Sequence, residues 1–288
     1  MTIRRKVIRS SQTVMRASLA LFMALPLMSA AALGAPTQYP DIEAQWRNPT
    51  ANQGGNPWDL TKKMGLAQEA PLTPEYQAIF EASIRAQKAG TQGNNLGSTC
   101  RLAGMPKMMN FAEAMEIVIR PEVTYFIPMQ DPVRRVYTDG RDRPEEPASF
   151  GGTSLGRWVD ERGEGRYDVL EIETRNLKGP RVFESTGLPL HSDNQTVVKE
   201  RIYLDRANQD ILHDEVTTID HALARPWTVD RIYLRTTPTR WLEKNCHESN
   251  PHLRIGAEDY YLSADGKLMP VSKGQPPPDV SAFGPPQR

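Results

Sequence analysis

The sequence predicts a mainly β protein: an antiparallel, lipocalin-like barrel preceded by an extended arm and one or two helices. Three observations predict it. About eight short strand-like runs follow one another between Met115 and Arg235, with turn signals between them. Almost no helical periodicity interrupts them. Inside the runs side chains alternate with period two, yet neither face is purely apolar.

The chain opens with Arg4, Arg5, Lys6, Arg9 and Arg16 and no acid, then an apolar run from Ala17 to Leu33, then small residues up to Ala35. Basic, apolar, small is the order of a removable secretory signal. Pro26 interrupts the run, which is short for a span of ~20 residues, so no stable membrane span is expected after cleavage. Arg4-Arg5-Lys6-Val7-Ile8-Arg9 is close to the twin-arginine export pattern, with Ile3 where Ser or Thr is usual, and both export routes stay open. The expected location is periplasmic or secreted. The expected organisation is a signal over 1–35, an arm and helix over 36–114, a barrel over 115–269 and a Pro-rich tail over 270–288.

In the arm, Asp41 to Leu66 is rich in Asn, Gly and Pro, with Trp46 and Trp58 as anchors. Thr73-Pro74-Glu75-Tyr76 starts a helix, with Thr73 as N-cap and Pro74 at the first helical position. Tyr76, Ile79, Phe80 and Ile84 recur at helical spacing and Gly90 ends it. Strands are expected at Glu116–Arg120, Val123–Ile127, Val133–Tyr137, Ser154–Asp160, Tyr167–Thr174, Thr196–Asp205, Ile211–Asp220 and Trp227–Arg235. Asp139-Gly140 reads as a hairpin turn. Long amphipathic residues mixed with aromatics suit a polar-lined cavity, or equally a twisted sheet with one wet face.

The whole chain carries 35 basic and 35 acidic residues. Five of the basic ones fall in the signal, so the mature protein holds a net charge of about −5, which speaks against nucleic-acid partners and anionic membranes. Cys100 and Cys246 are the only cysteines. In an oxidising compartment the pair reads as a disulfide, the alternative being two separate thiols.

The chemical motifs are weak. Gly152-Thr153-Ser154-Leu155-Gly156 fits the G-x-S-x-G nucleophile elbow but lacks a strand before it and a helix after it. His247 and His252 are five apart with Pro251 between them, which a zinc helix forbids. His213 and His221 bracket one strand whose ends are ~25 Å apart. No metal site and no cofactor are expected. His191 lies in a loop with Glu184 and Asp193, where a histidine can act as a general base. One of Arg134 and Arg135 points inward if the run is a strand, where it could hold an anion by a bidentate contact.

Several stretches occur together and in order: Pro71-Leu72-Thr73-Pro74-Glu75-Tyr76, Cys100 with Gly104-Met105-Pro106, Arg134 to Arg141, Ser154 to Trp158, Leu190-His191-Ser192 and Arg225 to Val229. In this the chain resembles a large family of exported, largely uncharacterised β-rich proteins of soil bacteria and sphingomonads, over roughly Asp41 to Glu248. The resemblance implies secretion, a β-barrel body and cofactor-free chemistry on lignin-derived aromatic compounds. The chain departs from the pattern at Gly152-Thr153-Ser154, where Gly-His-Ser is common.

The expected function is a cofactor-independent lyase or isomerase acting on a small aromatic compound. His191 would be its base or acid, and Tyr137 and Tyr203 would be donors to an oxyanion. Arg135, Arg201 and Arg231 would hold an anionic group, and Trp227 would form an aromatic wall. The rivals are a barrel that only binds or carries a small molecule, and an envelope structural protein. A homo-oligomer is compatible with each.

Overall fold

A computed structural model describes residues 38–50, 56–95, 97, 100–111, 114–129, 131–237, 241, 246, 250–256 and 258–279. The expected signal, the His247-Glu248 pair and the end of the Pro-rich tail lie outside them.

The protein is mainly β. Nine strands close into one barrel: β1 (Gln45–Arg47), β2 (Ala114–Ile119), β3 (Val123–Pro128), β4 (Arg134–Tyr137), β5 (Thr153–Val159), β6 (Val169–Arg175), β7 (Val197–Leu204), β8 (Ile211–Ile219) and β9 (Trp227–Arg235). Each strand pairs with its sequence neighbour, and β1 closes the ring against β9 with Trp46 opposite Arg235. Closure removes both free sheet edges.

The expectation of a wholly antiparallel sheet needs correction. β4 and β5 run parallel, with Val136 opposite Ser154 and Tyr137 opposite Leu155. Asp139-Gly140 does not make a hairpin. Gly140 turns the chain at φ 76°, and residues 138–152 then carry it back to the start of β5. A parallel neighbour needs such a crossover, which a two-residue turn cannot supply.

The barrel runs from Gln45 to Arg235, so the arm contributes one strand to it. Residues His252–Ile255 (β10), Glu258–Leu262 (β11) and Leu268–Pro270 (β12) form a separate three-stranded sheet. Helix α1 spans Pro74–Lys88, with the Thr73 side chain accepting from the Tyr76 N–H. Phe80 and Ser83 are its buried residues, while Ile79, expected on the packed face, is 38% exposed. Cys100 and Cys246, 146 positions apart in the sequence, are joined in a disulfide. No helix among the described residues is long and apolar enough to cross a membrane.

Period-two alternation decides what faces inward. Buried Trp46, Met115, Ile117, Phe126, Val136, Leu170, Ile172, Val198, Ile202, Leu212, Val216 and Tyr233 fill the lumen. The alternate positions form ion-pair ladders on the outer wall. Arg157 meets Glu171 at 2.6 Å and Arg201 meets Glu215 at 3.0 Å. Mixed faces in the sequence therefore have a simple cause: the outer wall is charged, and the inner one carries a few buried charges.

Candidate functional site

The buried charges sit at one level of the barrel. The Arg134 guanidinium reaches both carboxylate oxygens of Glu200, donates to Ser154 Oγ at 3.2 Å and to Thr174 Oγ1 at 3.0 Å. Arg134 and Glu200 are 4% and 2% exposed. On β8 and β9, Asp214 stands directly opposite Arg231. Arg231 donates to the carbonyls of Pro57 and Trp58 and to Asn110 Oδ1 at 2.8 Å, and Tyr233 Oη donates to the Met109 carbonyl at 2.8 Å. The arm and the turn after Met105 are thus clamped onto the barrel by side chains from β9.

Asp214 is the strained member. It is fully buried, and its Oδ1 has no hydrogen-bond partner. Burial first, and the Glu200 charge second, push its carboxyl well above the ordinary carboxyl range, although Arg134 and Arg231 pull the other way. A raised carboxyl makes the folded state hold a proton that the unfolded chain gives up. Stability is thus lost as pH rises from about 4 towards the raised value. Asp214→Asn keeps the shape and cannot ionise. Urea unfolding across pH should find this variant more stable than the parent at pH 7, by on the order of 1 kcal/mol, with the difference vanishing near pH 3. A parallel pH profile in both proteins would contradict this.

The G-x-S-x-G run is structural. Ser154 is 2% exposed, and its hydroxyl is engaged by Arg134 and by Thr174 Oγ1 at 2.8 Å. Gly152 lies at φ 66°, where a Cβ would sit 2.5 Å from the Arg175 carbonyl oxygen. At Gly156 a Cβ would meet Val136 Cγ1 at 2.6 Å. The two glycines let the backbone turn and pack closely, and the serine completes the polar seam.

The residues expected in one cavity fall in four places. Arg231 and Trp227 point inward. Arg231 is fully buried by the arm, and Trp227 packs edge-on to Phe183 at 5.1 Å. Arg201 and Tyr203 point outward on β7. Tyr203 Oη donates to Glu215 at 2.9 Å, and burial and that bond push its phenol up to about 12. Such a phenol is already committed as a donor. Arg135 and Tyr137 also lie on the outer side, where the inward arginine is Arg134. His191 lies on a loop at the barrel rim.

Arg201 and Tyr203 line a depression of ≈ 760 Å³ with Arg162, Arg166 and His213, but Arg201 is paired there with Glu161 and Glu215. Two further places bring chemistry-bearing side chains together. The first is a pocket of ≈ 500 Å³ along the parallel β4–β5 seam. Arg135, Tyr137, Glu146, Phe150 and Lys178 line it with Leu102, Met108 and Val133, and buried Arg134 and Ser154 form its floor. Leu102 and Val133 are 47% and 43% exposed, which leaves apolar surface open beside the cations. Among the described residues neither Arg135 nor Lys178 has a carboxylate partner; each lies over a ring, Tyr125 at 6.0 Å and Phe150 at 5.9 Å.

The second is at the rim. His191 and His221 flank Asp193: His191 Nδ1 is 3.3 Å from Oδ1, and His221 Nδ1 meets Oδ2 in a short contact. Burial works to raise the Asp193 carboxyl, but the Gln195 N–H, His221 and the charge of His191 outweigh it and hold it below the ordinary range. The Tyr76 ring lies 5.4 Å from His191, because Thr73 N–H donates to the Ala222 carbonyl at 2.9 Å and draws the start of α1 to this loop. The sequence places Asp193 beside His191 but does not join His221 to them, because its loop meets theirs only once the barrel closes. The available signal was His191-Ser192-Asp193 together with Asp220-His221, each an acid beside a histidine.

No family model, no curated protein and no solved structure matches this chain significantly.

Proposed function

We propose that this protein is an exported barrel that binds a small anionic aromatic compound at the β4–β5 seam. One observation carries the reading: two cations without carboxylate partners among the described residues, Arg135 and Lys178, flank a pocket with aromatic and apolar walls. A planar guanidinium and an ammonium suit a carboxylate or phenolate, while Tyr137, Phe150, Leu102 and Val133 suit a ring. The ligand would be held in the barrel wall and not, as in a lipocalin, in the lumen, which is filled by side chains. The disulfide supports an oxidising, extracytoplasmic location.

Calorimetric titration with a panel of aromatic carboxylates tests this. Arg135→Ala and Lys178→Ala should each weaken binding about tenfold, the cost of one charge-assisted hydrogen bond. Absence of binding across the panel, or unchanged affinity in both variants, would remove the proposal.

Lyase or isomerase activity is the second reading. It is favoured by Tyr137 and Glu146 lining the same pocket. Proton transfer would then run through those two groups and not through His191, which does not line it. Turnover lost in Tyr137→Phe with affinity retained would establish it.

A further inference from the structure

We propose that His191, Asp193 and His221 form a binding site for a divalent transition-metal ion of the zinc type. One ligand atom from each lies within 4.8 Å of the other two, and no other group of three such residues does so among the described residues. Two imidazoles and a carboxylate are a donor set for zinc and its neighbours rather than for calcium or magnesium, which prefer all-oxygen shells.

The loops are built to hold that set. Asp220 is 8% exposed and accepts from the backbone N–H of His191 at 2.8 Å and of Ala222 at 2.8 Å. One carboxylate therefore fixes both histidine-bearing segments. Its other oxygen accepts from Thr196 Oγ1, which in turn accepts from Arg181 Nη2 at 2.7 Å. Asp193 is fixed by the Gln195 N–H at 3.0 Å, next to Asn194 at φ 61°. Supporting hydrogen bonds of this kind set ligand orientation in metal sites.

The remaining adjustment is small. Ligand bonds near ~2.1 Å require donor atoms ~3.4 Å apart in a tetrahedron; His191 Nδ1 and Asp193 Oδ1 already stand at 3.3 Å, no pair is wider than 4.8 Å, and the short His221–Asp193 contact must open to admit the ion. His221 is free to make that movement, with its side chain 68% exposed. The ion needs an unprotonated Nδ1 or Nε2 on each imidazole, so binding should strengthen as pH rises through the histidine range. Three protein ligands leave a coordination position open to water or another ligand.

The test is titration of the full, tag-free chain with Zn²⁺ by calorimetry, and with Co²⁺ by visible absorption. We expect one ion per chain. His191→Ala, Asp193→Asn and His221→Ala should each weaken binding at least tenfold and abolish the Co²⁺ band. His213→Ala should bind as the parent does, since His213 is held apart from this site between Asp205 at 3.5 Å and Asp230 at 2.9 Å. Thermal unfolding without metal separates a lost ligand from a lost fold, and exposed His221 is the decisive position. Weak non-stoichiometric binding, or stoichiometric binding that survives His221→Ala, would overturn the site. Neither result bears on the seam pocket, whose ligand is read separately.

Discussion

Arg134→Met should cost the fold about 3–5 kcal/mol, because it leaves a fully buried carboxylate without its cation. Glu200 has both oxygens on Arg134. Removing the guanidinium strands that charge in a lumen where Asp214 is already pushed towards its neutral form, by burial first and by Glu200 second. Two acids would then share one dry compartment, and Glu200 would have to take up a proton or the barrel open. The polar neighbours are not stranded with it, since Ser154 and Thr174 hydrogen-bond each other at 2.8 Å. Arg134→Met combined with Glu200→Leu should therefore recover most of the loss and end within about 2 kcal/mol of the parent. Equilibrium urea unfolding of both variants decides it. A loss below about 1 kcal/mol in the single variant would mean that water or rearrangement satisfies Glu200, contrary to the buried geometry.

That pair also marks where the sequence stops being readable. Eight strand runs were legible because period-two alternation and turn residues are local. Which face turns inward was not. In Val197–Leu204 one face offers Lys199, Arg201 and Tyr203 and the other Glu200, so each contains charge. Hydrophobicity favours the Glu200 face only through Val198, Ile202 and Leu204. The partner that makes Glu200 tolerable stands 66 residues earlier in the chain. The same holds for Arg134 against Arg135, where alternation demanded that one point inward and no local property said which. β1 is three residues long and shows no period at all; its strand character comes from β2 and β9 on either side. The rim cluster is the extreme case. His191 and Asp193 share one loop, but His221 is brought to them by Asp220 and by the register of β7 with β8, and no spacing rule spans that distance.

Reducing the Cys100–Cys246 bridge should lower stability by about 4–5 kcal/mol, on the chain-entropy view of a loop this long. The bridged segment contains β2 to β9, so the cross-link constrains nearly the whole barrel sequence in the unfolded chain. The effect does not need the disulfide to touch the barrel. It acts by denying the unfolded state the conformations in which Cys100 and Cys246 are far apart. Urea unfolding of the parent with and without reductant, and of the double Cys100→Ser, Cys246→Ser variant, measures it. The reduced parent and the double variant should agree, and their folded spectra should match that of the oxidised protein. A loss under about 1 kcal/mol would mean that the reduced unfolded chain already keeps these ends together. A loss of the expected size has a cellular consequence. A barrel with several buried charges has little stability to spare, so it would depend on a compartment that keeps the bridge closed. Expression with the bridge blocked should then lower the yield of folded protein far more than it changes the fold itself.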